Sequence, residues 1–416
     1  MNNDYGFENE NSENNIPLDF SKNNPQNLDV EIDFSSPSSP SDSSTEVSED
    51  EKNVDNTNNI INSENSAYNQ QNSNIRQNFQ PNYYSYQQSY QQQLTTEQIK
   101  LFYERRAVKK TANHIGLGLI LFYAFQILFS IILGFFAVSE AAYKFLSDSA
   151  VTLELNIILT LIGFGFAAFF IFRTEKSKAD SLISYGLPKK GSFWPAIGVG
   201  LGFCYVANIA TSLLQSRFQN ILPFAQNDIV LPDGILGFTL SILSVAVAPA
   251  LLEELLFRGA IMGSLLKYGK DLAIFASAFM FALIHGNLVQ IPFAFLVGLV
   301  LGAMVVETGS IWTGVAIHFF NNLISVLMDY ASRFVEQEIF NVFYLFLLSI
   351  FIIIGILCFY VLSIKNKKIF AYKKTMHIST AMQKFGWFSS SVAIIVYFVI
   401  IFLEILAMQL NATITG

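Results

Sequence analysis

Nine apolar segments govern what this chain can fold into. They lie at about 112–137, 150–172, 193–214, 235–257, 271–286, 290–306, 311–328, 341–364 and 386–408. Most approach the ~20 residues that carry a helix across a hydrocarbon core. A segment in lipid has to satisfy its own backbone hydrogen bonds, which favours helices. The pattern predicts an all-α, polytopic membrane bundle of about nine transmembrane helices. Segments five and six are short, and would need tilt, kinks or shelter from neighbouring helices.

Composition matters here because it divides the chain. The first 98 residues carry 16 acids against 3 bases, and 46 of them are Asn, Gln or Ser. The other 318 carry 22 bases against 16 acids. Residues 1–94 therefore read as a disordered acidic tail, with too little apolar surface to offset chain entropy. A helix start is expected at Thr95 or Thr96, giving a basic juxtamembrane helix over 95–111 and a transmembrane domain over 112–408. Met1 is followed by polar sequence without an early apolar core, so membrane entry is expected from internal spans. An acidic tail, with no basic patch beyond the membrane flanks, argues against nucleic acid as a partner. Cys204 and Cys358 sit inside apolar segments and read as small hydrophobes rather than a disulfide or metal framework.

The bases also orient the bundle. Arg173, Lys176, Lys178, Lys189 and Lys190 follow span two, Lys267 and Lys270 precede span five, and Lys365 to Lys384 follow span eight. The alternate loops are base-poor. Excess Lys and Arg mark the cytoplasmic side, which places the N-terminus in the cytoplasm and, after nine crossings, the C-terminus outside. The localisation expected is an integral protein of a bacterial-type plasma membrane.

Polar residues interrupt three of the spans. Span four ends with Glu253-Glu254-Leu255-Leu256-Phe257-Arg258. Carboxylates near hydrocarbon cost a few kcal/mol each by insertion scales, on the order of 2–3, so they need partners or a wet cavity. Glu254 and Arg258 lie four apart on one helix face and can pair, whereas Glu253 is rotated about 100° away and left for another purpose. A helix end dressed with interfacial charges is the plainer alternative. Span five supplies His285, and span seven supplies His318 and Asn322, again four apart. A single membrane histidine is usually an interhelical hydrogen-bonding residue. Two of them beside a carboxylate pair and an asparagine point to a site. His114 and His377 read as interfacial or solvated. For the groups to meet, the fourth helix must run on to about Lys267, kinked at Pro249 or Gly259, with a cavity reaching down from the cytoplasm.

A carboxylate and a neutral imidazole can share a water and remove its proton as it attacks a carbonyl, while other donors stabilise the oxyanion. Glu253 with His285 suits the first role and His318 with Asn322 the second. Zinc ligation by His, His and Glu is the neighbouring possibility, although no HExxH is present. A proton-coupled transporter using buried Glu and His is a further alternative.

These three motifs, Glu253-Glu254-x-x-x-Arg258, Phe281-x-x-x-His285 and His318-x-x-x-Asn322, resemble those of the CPBP family of type II CAAX prenyl endopeptidases and bacteriocin-processing, Abi-like enzymes. The stretch Glu307-Thr308-Gly309-Ser310-Ile311-Trp312-Thr313-Gly314 is similar to the family pattern as well. The resemblance covers about 235–328. It implies an intramembrane endopeptidase acting on a membrane-associated peptide or protein within the lipid bilayer. Glu253 and His285 would activate water, His318 and Asn322 would hold the oxyanion, and Glu254 and Arg258 would support the first motif. The family carries a metalloprotease label. Glu253, His285 and His318 would be the ligands if zinc were bound, but the implied mechanism requires no cofactor. A non-catalytic bacteriocin-immunity or scaffold role is the alternative within the family. Substrate identity and oligomeric state are left open by the sequence.

Overall fold

The computed structural model describes residues 82–175, 185–188, 191–218, 231–365 and 378–415. Every regular element among them is a helix. In chain order these are α1 (Asn82–Phe136), α2 (Glu140–Leu146), α3 (Ser149–Glu175), α4 (Phe193–Phe218), α5 (Gly234–Tyr268), α6 (Lys270–Leu283), α7 (Gln290–Thr308), α8 (Ile311–Ser332), α9 (Gln337–Lys365), α10 (Ala381–Ser389) and α11 (Val392–Thr415). Residues 1–81 and His377 lie outside the described residues.

Helices cover most of each of the nine apolar segments, and among the described residues eight helices are long and apolar enough to cross a membrane. The fifth segment differs. Its helix, α6, has 14 residues, or roughly 21 Å of rise, and stops at Leu283 rather than 286. The ninth span begins at Val392 rather than 386, because the chain turns between α10 and α11. At the other end, the expected start at Thr95 is overtaken. Helix α1 already runs from Asn82, through the basic stretch and into the first span, without a break. Residues 82–94, assigned above to the disordered tail, are thus helical.

Packing follows from small residues and buried apolar faces. Helix α4 lies against α9 and α7, α1 against α3 and α11, and α5 against α3, α6 and α8. Where α4 crosses α9, a Cβ on Gly202 would fall 2.7 Å from the Gly355 Cα, so the two backbones touch there. Such close approach is how helices gain contact in lipid, where no hydrophobic effect drives them together.

Polar ties hold the basic end of the bundle. Glu175, at the end of α3, accepts from Thr111 (2.9 Å) and Lys267 (2.8 Å), and meets His114 Nδ1 at 2.7 Å. His114 is therefore a half-buried partner of Glu175 rather than a solvated residue. Lys384, buried, donates to the Tyr268 carbonyl at 2.7 Å and pairs with Glu104 at 3.1 Å. The opposite end has its own ties. Arg333 pairs with Asp233 at 2.9 Å and with Asp329 at 2.6 Å.

Candidate active site

The long helix α5 supplies the first group of residues. It is not a uniform α-helix. Ile242–Val247 and Leu255–Met262 are π-helical, and they bracket the α-helical turn Ala248–Glu254. Widened turns of this kind often accompany functional sites. Of the two positions at which a kink is expected, Gly259 lies within the second π segment and Pro249 in the α-helical turn between the two. Pro249 has no N–H, so the Val245 carbonyl loses its α-helical donor. Asn322 Nδ2 from α8 donates to that carbonyl at 2.9 Å.

Behind the helix face, Glu254 and Arg258 have 0 % side-chain exposure and form the expected pair, Nη1 to Oε1 at 2.7 Å. Arg258 Nη2 also donates to the Gly298 carbonyl of α7 at 3.1 Å, and its guanidinium lies 4.5 Å from the centre of the Phe281 ring. Such a pair must be nearly complete to offset its desolvation. Here it takes a further partner. His318 Nδ1 lies 3.1 Å from Glu254 Oε1. A carboxylate paired to Arg accepts, so Nδ1 carries the proton and the Nε2 of a neutral His318 ring is left with a lone pair. That Nε2 lies 4.0 Å from Glu253 Oε2.

His285 is placed by the end of α6. The helix gives way to a turn, with Gly286 at φ +61°, before α7 begins at Gln290. Irregular backbone at this depth has to be sheltered by protein. Tyr123 of α1 donates to the Ile284 carbonyl at 3.3 Å, and Asn287 Oδ1 accepts from the Val289 N–H at 2.8 Å. His285 Nδ1 donates to the Phe281 carbonyl at 2.8 Å, which leaves its Nε2 as the acceptor. The Phe281 ring stands edge-on to both imidazoles.

Glu253, His285, His318 and Asn322 line one cavity of about 470 Å³. The three motifs thus converge in space. The cavity does not reach toward the basic end of the bundle, as expected above. Its lining runs the other way, along α8 from His318 to Ser325 and Met328 and along α5 back to Ser244. A second, smaller cavity of about 160 Å³ lies toward α1 and α3, and Glu253, His285, Pro249 and Asn156 line both.

Residues 235–324 match the family model described as type II CAAX prenyl endopeptidase Rce1-like. That stretch is similar to an Rce1-like domain. It spans α5 to the middle of α8 and contains all seven residues of the three motifs. With eight long apolar helices among the described residues, three of them in this stretch, the chain is an integral membrane protein. No curated protein and no solved structure matches the chain.

Among the described residues, no three His, Cys, Asp or Glu side chains are grouped as a metal ion would require. In the Rce1-like domain His318 Nδ1 is held by Glu254 and His285 Nδ1 by a carbonyl, so each ring has its Nε2 open to a ligand or a water. Glu253, His285 and His318 line a common cavity but form no such group.

Gly314 of the Rce1-like domain lies one helical turn before His318. A Cβ there would fall 2.5 Å from Glu254 Oε2 and 2.8 Å from Val305 Cγ2. Gly314→Ala must therefore displace either α8 or the buried carboxylate. The expected cost is about 1–3 kcal/mol, read as a lower melting temperature in detergent, together with reduced activity.

Several residues outside the motifs belong to the site and were not singled out by the sequence. Asn156 of α3, Asn208 of α4 and Tyr344 of α9 all line the larger cavity. Asn156 donates to Ser244 at 3.2 Å, and Tyr344 donates to Asn208 at 3.3 Å. Their signal was available as amides placed inside otherwise apolar spans. Glu404 of α11 is another, the lone acid of its span. Its carboxylate carbons and oxygens come within 3.0–3.2 Å of where a Gly286 Cβ would stand, directly behind the His285 turn.

Proposed function

We propose that this chain is an intramembrane endopeptidase that hydrolyses a peptide bond in a membrane-associated peptide or protein, with water as the nucleophile and no covalent intermediate. The observation that carries this reading is the convergence of Glu253, His285, His318 and Asn322, from α5, the α6–α7 turn and α8, on one cavity inside the bundle.

Glu253 takes a proton from a water whose oxygen attacks the scissile carbonyl carbon, and His285 Nε2 accepts the water's other hydrogen. The carbonyl oxygen becomes an oxyanion. Asn322 has one amide hydrogen beyond the one given to Val245, and it can donate to that oxygen. His318 serves as a second donor only with a proton on Nε2, and otherwise that nitrogen accepts. The proton held by Glu253 then passes to the departing nitrogen as the C–N bond breaks. Glu254 and Arg258 act by holding His318 and the helix in register.

The test is cleavage of a membrane-peptide library by the purified protein. His285→Ala is expected to lose cleavage while retaining its wild-type melting temperature. Treatment with a metal chelator is expected to leave the wild type active. Unaltered cleavage by His285→Ala would sink the mechanism, and loss on chelation that zinc restores would replace it with a metal-dependent one.

A further inference from the structure

The two ends of the bundle differ in charge, and the cavity belongs to only one of them. At one end lie Lys100, Lys109, Lys110, Arg173, Lys267 and Lys270, brought together by the Glu175 and Glu104 contacts. The sequence adds Lys176, Lys178, Lys189 and Lys190 between α3 and α4, and Lys367, Lys368, Lys373 and Lys374 between α9 and α10. Both of these connections start and finish at that end. At the other end, Glu140, Asp148, Asp233, Asp329, Glu336 and Glu338 outnumber Lys144, Arg217 and Arg333 among the described residues. Lys and Arg near span ends mark the cytoplasmic face.

From His318 the cavity continues along α8 away from the basic end, and Ser325 lies seven residues, or about 10 Å, further on. Ser325 and Gln290, toward that end of the lining, are exposed, and we take them as its mouth. Between the mouth and the motif residues the lining includes neutral amide and hydroxyl groups, Asn208, Asn321, Tyr205 and Tyr344 among them. Groups of this kind hydrogen-bond the N–H and C=O of an extended peptide without requiring charge on it.

We infer that the site is entered from the non-cytoplasmic face of the membrane, and that its substrate is a peptide segment presented on that face. This rests on the peptidase reading for what occupies the cavity, but not for which face it opens to.

The face of entry can be tested apart from the catalytic reading. In full-length protein carrying Cys204→Ala and Cys358→Ala, a single cysteine is introduced at the mouth (Ser325→Cys) or at the basic end (Lys110→Cys). Cells are then treated with a membrane-impermeant maleimide. Ser325→Cys is expected to label as fully in intact as in permeabilised cells, and Lys110→Cys only after permeabilisation. A phosphatase that is active only outside the cytoplasm, fused after Gly416, is expected to be active, and this readout does not depend on the cavity. Labelling of Ser325→Cys only after permeabilisation overturns the inference, whatever the enzyme cleaves. Adding Glu253→Gln is expected to leave the labelling pattern unchanged, so a failure of the catalytic reading is seen in cleavage alone.

Discussion

Replacing Glu253 by glutamine is expected to lower peptide cleavage about 10²–10⁴-fold, the contribution of a positioned general base, with little change in melting temperature. The asymmetry comes from where the side chain sits. Glu253 keeps 14 % side-chain exposure, lines both cavities and meets His318 only at 4.0 Å. Glutamine has the same shape and can fill that wet position, so stability should stay within about 0.5 kcal/mol. It cannot accept the proton of water, so turnover falls. The adjacent substitution behaves differently. Glu254→Gln leaves a fully buried Arg258 without its counter-charge, and leaves Arg258 and His318 Nδ1 to share one neutral amide oxygen. It is expected to lower both melting temperature and activity. Two neighbouring carboxylates of equal chemistry thus separate into one that reacts and one that supports. Cleavage by Glu253→Gln at the wild-type rate would end the general-base assignment. Steady-state cleavage and thermal unfolding in the same detergent check both variants.

The helices were legible in the sequence because span length is a direct consequence of bilayer thickness. The Glu254–Arg258 pair and the shared face of His318 and Asn322 were legible because an α-helix brings i and i+4 together. What escaped was the local departure from that geometry. The π segments of α5 follow no simple period, and they change which residues face the cavity. Pro249 signalled a missing N–H, but not that Asn322, 73 positions on, would supply the replacement donor to Val245. Helix α6 was read as a span through 286, because His285 and Gly286 close an apolar run. Only packing from Tyr123 and Glu404 explains a turn at that depth. The direction of the cavity was misread for a related reason. Depth along each helix can be counted from the sequence, but which end the helices splay at depends on α4 and α9, which carry no motif. The amides Asn156 and Asn208 were the available clue, since an unpaired amide in lipid is costly unless it faces water or a partner.

The substitution with the largest expected effect on the fold is Arg258→Ala. Arg258 is wholly buried and joins three elements, through Glu254 on α5, the Gly298 carbonyl on α7 and the Phe281 ring on α6. Removing it leaves Glu254 as a buried carboxylate held only by His318, along with a cavity the size of the lost side chain. The loss expected from breaking such a pair on one side is about 3–5 kcal/mol, seen as a marked fall in melting temperature and in yield. Lysine should not rescue it, because a single ammonium cannot reach both Glu254 and the Gly298 carbonyl with the geometry of a planar fork. Removing both charges is a different matter. Glu254→Leu combined with Arg258→Met pays neither desolvation cost, so the double variant is expected to be more stable than Arg258→Ala alone. It should still cleave poorly, since His318 Nδ1 would have lost its acceptor. A double-mutant cycle on melting temperature, run beside cleavage, separates the two contributions. A double variant that is both stable and fully active would mean that the pair holds the helices together and does nothing for His318. A double variant no more stable than Arg258→Ala would mean that the ion pair itself, and not the burial of one unpaired charge, is what the fold depends on.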